Sequence, residues 1–278
     1  MPPGVTYVVL SVLCFAVVNT CVKAMPAVPV QELIFFRSVT VFAGAWWFIR
    51  KNKITFWGNN KVWLATRGIT GVVALILFYS TLKKMPLASA GTIQYLAPIF
   101  TVIAAIWLNK QKPKGIQWFY FILAFAGVVL IKGFDERVSV LWLIIGIVAA
   151  AFAGLSYNAT IRCKGTDHPM TIVMYLPLIA LPIGGLWCLF DWVNPAPIEW
   201  LLLFVMGVFT LFAQYLMTLA LHSDVASRIT PWNYTGAIFA LAIGYFVFDE
   251  QVNMLTLVGI VLVATGVILN ARVKMESL

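Results

Sequence analysis

The stretch LASAGTIQYLAPIFTVIAAIWLN, residues 87–109, has a second copy in VASRITPWNYTGAIFALAIGYFVF, residues 225–248. Both open on a small-residue motif, Leu87-Ala88-Ser89 in the first and Val225-Ala226-Ser227 in the second. Each begins an apolar block, Ala88 to Lys132 and Ala226 to Ala271, and the blocks close alike. Leu123, Gly127, Val128 and Leu130 end the first; Leu262, Gly266, Val267 and Leu269 end the second. The offset is 138 residues at the opening motif and 139 at the closing one, which is half of the 278-residue chain. A repeat of this period, built from membrane-length segments, marks a membrane protein in which one structural unit is used twice.

Composition points the same way. At 62% hydrophobic and 10% charged residues, the chain carries more apolar surface than one soluble core can hide. Apolar runs long enough to cross a hydrocarbon core of ~30 Å fall at residues 4–22, 30–49, 62–82, 86–108, 115–132, 139–161, 170–190, 199–221, 225–248 and 252–271. Short charged or turn-forming segments separate them, such as Arg50-Lys51-Asn52-Lys53, Gly58-Asn59-Asn60-Lys61 and Lys110-Gln111-Lys112-Pro113-Lys114. The predicted fold is therefore an all-α membrane protein of ten transmembrane helices.

The net charge of +9 sits in these short loops, so it sets topology and does not indicate nucleic acid. With the N-terminus placed in the cytoplasm, eleven basic residues lie on that side: Arg50, Lys51, Lys53, Lys61, Lys110, Lys112, Lys114, Arg162, Lys164, Arg272 and Lys274. Five lie opposite: Lys23, Lys83, Lys84, Lys132 and Arg137. Both termini are expected inside, in a multi-pass protein of the inner (cytoplasmic) membrane. Met1 to Val5 lacks the basic stretch of a cleavable signal, and the first apolar run is long enough to stay as a helix. Cys14, Cys21, Cys163 and Cys188 have no metal or redox spacing and read as small packing residues. No cofactor or metal site is expected.

Five spans per half is an odd number, so the second half enters the membrane from the opposite side. The halves, residues 1–137 and 138–278, are expected to be inverted repeats with a binding site near the midplane. Phe15 to Lys23, Phe36-Arg37, Arg67-Gly68, Phe78-Tyr79, Leu82 and Leu96-Ala97-Pro98 in the first half now carry a resemblance. Gln214, Ala220-Leu221, Tyr234, Gly244 to Glu250, Gly259 and Gly266 carry it in the second. The chain resembles the drug/metabolite transporter superfamily, EamA type, over essentially its whole length. The Gln214 and Tyr234 region looks like a branch that includes S-adenosylmethionine carriers and metallophore exporters. One departure is visible. The acidic residue that the family often has after the fourth span is Gln111 here, while its second-half counterpart, Glu250, is present.

Ionisable side chains inside a bilayer cost roughly 2.5 to 3.5 kcal/mol each on insertion scales, so each needs a reason. Arg37 lies seven residues beyond the start of its span, roughly 10 Å deep. It can anchor a substrate carboxylate or phosphate, or bond backbone carbonyls or another helix. Glu32 is five residues away, about 140° around the helix, and is poorly placed to pair with it. Arg67 and Arg228 lie close enough to span ends for a long side chain to reach the interface, and Lys23 is similar. Glu32 is the candidate proton-coupling carboxylate, although its place near the membrane face favours an ordinary solvated end.

Pro98 and Pro231 interrupt the fourth and ninth spans, and each frees a carbonyl four residues earlier, on Gln94 and Ser227. Such broken helices are tolerated where they line a cavity or find a neighbour. Gln94 and Tyr95 in one, with Trp232, Asn233 and Tyr234 in the other, are thereby expected to face a central pocket. Pro177 and Pro182 make the seventh span a second flexible element, with Tyr175 beside them. Asn19, Tyr79, Tyr157 and Gln214 complete the substrate-binding set, each also readable as an interhelical hydrogen bond, as is Asn158. The fifth and tenth spans carry Gly127, Gly259 and Gly266 and read as packing or interface helices, which leaves a homodimer open.

The function that these features imply is a secondary carrier moving a small organic metabolite by alternating access. An amino acid, a carboxylate or an S-adenosylmethionine-like solute would suit three intramembrane arginines and few acids, and the aromatic residues could also stack a planar or cationic one. The partners are that small-molecule substrate and the lipid bilayer. A channel or scaffold is the alternative. An intramembrane enzyme is disfavoured because the sequence has no HExxH, no GxSxG and no paired intramembrane aspartates.

Overall fold

The computed structural model describes residues 3–109, 115–134, 138–223, 232–233, 235–251 and 253–273. Eleven helices run through them, and among the described residues there is no strand. In chain order they are α1 Pro3–Ala24, α2 Val30–Lys51, α3 Lys61–Lys84, α4 Leu87–Gln94, α5 Ala97–Asn109, α6 Gly115–Phe134, α7 Val140–Arg162, α8 Pro169–Cys188, α9 Pro197–Ser223, α10 Thr235–Phe248 and α11 Met254–Arg272. Six of these, α1, α2, α3, α7, α8 and α9, are long and apolar enough to cross a bilayer. This is a multi-pass membrane protein.

Local chemistry sets the helix starts. Proline is the first residue of α1, α8 and α9 and directly precedes α2 and α4. At a helix start its missing N–H costs nothing and its fixed φ suits the first turn. The fourth apolar run, read from sequence as one span, is two helices. Tyr95 N–H still bonds Gly91 O at 3.2 Å, and Leu96 N–H turns to Ile93 O at 3.0 Å. Pro98 has no N–H for Gln94 O, so the chain restarts as α5 at Ala97. The ninth run begins, among described residues, with a single 3-10 turn at 232–233 before α10; Ser227, Pro231 and Tyr234 lie outside the described residues. By contrast α8 passes through both Pro177 and Pro182 without a break.

Many large apolar side chains on the outer faces are exposed, among them Val39, Ile69, Ile122, Phe204 and Val261. Such a surface suits lipid and not water. Aromatic residues collect near both ends. Trp46 and Trp47 carry Arg50 and Lys51 at 4.7 and 4.8 Å from their ring centres, while Trp187, Trp192 and Trp200 stand at the other end. Amphipathic rings favour the headgroup level in this way.

The helices pack in pairs: α1 on α9, α3 on α7, α2 on α8 and α6 on α11, with α4 against α10 and α5 against α7. Ser11 fastens the first pair by donating to Ala213 O at 2.7 Å. The α6–α11 pair is close at two glycines. A side chain on Gly127 would stand 2.6 Å from Gly259 O, and one on Gly266 2.8 Å from Tyr120 O. These glycines serve contact between helices of one chain, where a missing Cβ lets two backbones approach.

Candidate functional site

A cavity of about 220 Å³ opens between α1, α2, α3, α4, α5, α7, α8, α9 and α10, with Asn233 also in its wall. Neither α6 nor α11 contributes a lining residue. The break between α4 and α5 places Gln94, Tyr95 and Pro98 on the cavity wall, which Asn233 and Gly236 also line. Tyr95 fits because residue 236 is glycine: its hydroxyl occupies the place where a Cβ would stand.

Seven of the site residues read from sequence line the cavity: Asn19, Arg37, Gln94, Tyr95, Tyr157, Gln214 and Asn233. Gln94 Oε1, Gln214 Oε1 and Asn233 Oδ1 are buried and have no protein hydrogen-bond partner among the described residues. Buried polar atoms are nearly always paired, so unpaired ones facing a cavity are available to a solute or to water.

The other members of the set fall elsewhere. Tyr79 is buried behind Arg37, whose guanidinium lies 5.8 Å from the ring centre. Tyr175 points to the connection between α2 and α3, where its hydroxyl donates to Trp57 O at 2.8 Å. Trp232 is exposed and outside the lining. Tyr234 and Arg228 lie outside the described residues. Asn158 bonds Thr101 O at 2.8 Å and so joins α7 to α5.

Three side chains differ from the sequence reading. Arg67 does not reach the interface: it is 9% exposed, lines the cavity and donates from Nη1 to Ser156 Oγ at 2.6 Å. Its path runs forward along α3 over Gly71, where a Cβ would be 2.5 Å from Nη1. Glu32 is not a solvated helix end but fully buried. The connection after α8 folds over it, with Val193 N–H donating to Oε1 at 2.5 Å and Gln31 bonded to Asp191 at 2.8 Å. Glu32 lies outside the cavity lining. Lys23 is also turned inward: it bonds Met85 O at 2.7 Å and pairs with Glu250 Oε1 at 2.5 Å. Glu250 Oε2 in turn accepts from Leu87 N–H at 2.9 Å, at the first residue of α4.

Sequence inspection also passed over Ser156, Thr160 and Thr218 in the wall. Their helical spacing gave no sign, because small hydroxyl residues in a span mostly bond the carbonyl one turn earlier. Thr160 and Thr218 do bond Ser156 O and Gln214 O.

A multi-pass helical protein that encloses a mostly apolar cavity with a few polar and charged groups in its wall, at the meeting point of nine helices, two of them broken halves of one span, is built like a solute carrier. The EamA-like transporter family matches residues 2–133 and again 140–272, and the chain belongs to that family. It is 27% identical to a pseudopaline exporter of Pseudomonas aeruginosa over 98% of this chain and 96% of that one. It is 22% identical to an S-adenosylmethionine uptake transporter of Rickettsia prowazekii over 81% and 79% of the respective chains. A solved crystal structure shares the fold at a TM-score of 0.71 and 16% identity, covering 95% of this chain and 94% of its own. The family and these named relatives are transporters of small molecules, not enzymes.

Proposed function

We propose that this protein is a secondary carrier of the cytoplasmic membrane that moves a small organic solute with an anionic group, by alternating access around the central cavity. Amino acids, carboxylates and S-adenosylmethionine-like solutes, which carry a carboxylate, are the substrates to test. The observation that carries the reading is the cavity wall itself: Arg37 and Arg67 stand in it and, among the described residues, no acidic residue does. A solute supplying the missing negative charge is favoured where buried guanidiniums have no counter-ion.

The moving parts are two inverted five-helix repeats, residues 1–137 and 138–278, with both termini in the cytoplasm. Reciprocal packing supports this reading. Exchanging each helix with its counterpart turns the α1–α9 contact into the α7–α3 contact and the α2–α9 contact into the α8–α3 contact, and all four are present. The α2–α8 and α6–α11 contacts map onto themselves. Rocking of such halves would expose the cavity to one side at a time. The relatives named for export and for uptake differ in direction, so direction is a quantity to measure.

The test is purified protein in proteoliposomes, screened against amino acids, nucleosides and small carboxylates with and without a pH gradient. Saturable flux of an anionic solute is expected, abolished by Arg37→Ala and Asn233→Ala with normal expression. No flux under any gradient, or wild-type kinetics in both variants, overturns the reading. Acid-driven uptake that survives Glu32→Gln removes Glu32 as the proton carrier.

A further inference from the structure

We infer that the cavity is built for a solute with two anionic groups, a dicarboxylate in the simplest case, one end held by Arg37 and the other by Arg67. The inference rests on the carrier reading and names the substrate class of the same cavity. Both arginines are more than nine-tenths buried, and both line it. A guanidinium offers five donors. Arg37 uses Nε, on Thr210 Oγ1 at 3.2 Å. Arg67 uses Nη1, on Ser156 Oγ at 2.6 Å, and its Nε has no partner among the described residues. Neither hydroxyl neutralises a charge, and among the described residues the one ion pair is Lys23–Glu250. A buried cation without a counter-charge is costly, and two in one cavity repel each other as well.

Charge balance decides between one anionic group and two. Arg67 Nη1 lies against Gly71, whereas the Arg37 guanidinium lies against the ring of Tyr79. Gly71 and Tyr79 are eight residues apart on α3, so the two heads are held at separate places along that helix. One carboxylate, bidentate on one guanidinium, leaves the other without a counter-charge. Two carboxylates joined by a short chain supply one to each. Between the two cations the wall contains Ala74, Leu75, Phe78 and Leu176, which suits a methylene linker.

The experiment is equilibrium binding to the detergent-purified full chain, read by tryptophan fluorescence and by thermal shift. The probes are succinate, glutarate, adipate and pimelate, each against the monocarboxylate of equal carbon number. At least one dicarboxylate is expected to bind about ten-fold or more tightly than its monocarboxylate, a difference of about 1.4 kcal/mol. Arg37→Gln and Arg67→Gln are each expected to bring it down to the monocarboxylate level, with partial recovery in Arg37→Lys and Arg67→Lys. If Arg67→Gln aggregates, Gly71→Ala serves in its place, because it leaves both arginines and meets the Arg67 head first, at 2.5 Å, with Leu176 at 2.8 Å and Ser156 at 3.2 Å; the same loss is expected. Equal affinity for mono- and dicarboxylates throughout, or a dicarboxylate affinity indifferent to either arginine, overturns the inference. Proteoliposome flux separates the two failures. Flux of a neutral or cationic solute that ignores both arginines leaves a carrier without this selectivity; dicarboxylate binding without flux of any solute leaves the subsite without a carrier.

Discussion

The two ends of the helix bundle are each closed by one carboxylate from the second half of the chain bonded to backbone N–H groups of the first, but the two closures differ in charge. At one end Glu250 caps the first residue of α4 and pairs with Lys23, which also holds Met85 O. At the other, Asp167 accepts from Asn59 N–H at 2.5 Å, Asn60 N–H at 3.3 Å and Thr166 Oγ1 at 2.7 Å, with no ion pair on it among the described residues. Their positions differ too. The Glu250 cluster sits where α1, α4 and α10 meet, and all three line the cavity. The Asp167 cluster ties the 52–60 connection to α8, with Thr171 Oγ1 on Thr55 O at 3.0 Å and Tyr175 on Trp57 O; neither Thr171 nor Tyr175 lines the cavity.

The internal repeat is therefore not symmetric in the charges at its two ends. The 139-residue offset places Arg162 opposite Lys23 and Gln111 opposite Glu250. The cation is kept: Arg162 donates to Leu108 O at 2.9 Å and lies 5.2 Å from the Trp63 ring centre. The acid is not, and Gln111 lies outside the described residues. Beside the cavity-lining helices the carboxylate has a cation to pair with, whereas between the connections it bonds neutral donors.

Glu250→Gln gives the largest expected effect. It removes the ion pair and weakens the acceptor for Leu87 N–H, and leaves the partly buried Lys23 without a counter-charge, at about 3 kcal/mol. Thermal unfolding in detergent reads the loss. The double variant with Lys23→Met is expected to be clearly less destabilised than the sum of the singles, because the stranded charge is then gone. Additive effects would mean that the two groups do not act as a pair.

Asp167→Asn is expected to cost less, about 1.5 to 3 kcal/mol from charge-assisted bonds to neutral donors, since no cation is stranded. A loss larger than that of Glu250→Gln would reverse the ranking of the two ends. Tyr175→Phe comes next. It deletes one bond to a loop carbonyl, about 1 kcal/mol, and should lower the unfolding midpoint while leaving the KM for the transported solute unchanged. A raised KM would return Tyr175 to the binding set in which the sequence placed it.

Legibility followed the length scale of the signal. The apolar runs and the break at Pro98 were readable because hydropathy and a missing N–H act within one segment. Arg67 was misjudged because depth along a helix does not give the direction of a long side chain; Gly71 below it and Ser156, distant in sequence, turn it inward. Glu32 was misjudged because its cover comes from Val193, on the connection between α8 and α9. Lys23 and Glu250 were each noted, but nothing in a single sequence brings residues so far apart together. Tyr79 and Tyr175 have the right residue type on a face that neighbouring helices turn away from the cavity.

The smallest expected effect belongs to His168, which lies in the connection before α8 and accepts Met170 N–H on Nδ1 at 3.1 Å as the helix cap. Accepting there requires the neutral ring, and burial holds its pKa below the ordinary value of 6.5. The sign follows from linkage. The unfolded chain takes up the proton first as pH falls, so the cap contributes above about pH 6.5 and is lost progressively below it. Replacement by Asn, which caps without titrating, should flatten this component. Between about pH 8 and about pH 5.5 the wild type is expected to lose about 0.5 to 1 kcal/mol relative to His168→Asn. All other groups are common to both proteins and cancel in the difference. Parallel pH profiles of the unfolding midpoint would remove His168 as a pH-sensitive cap of α8.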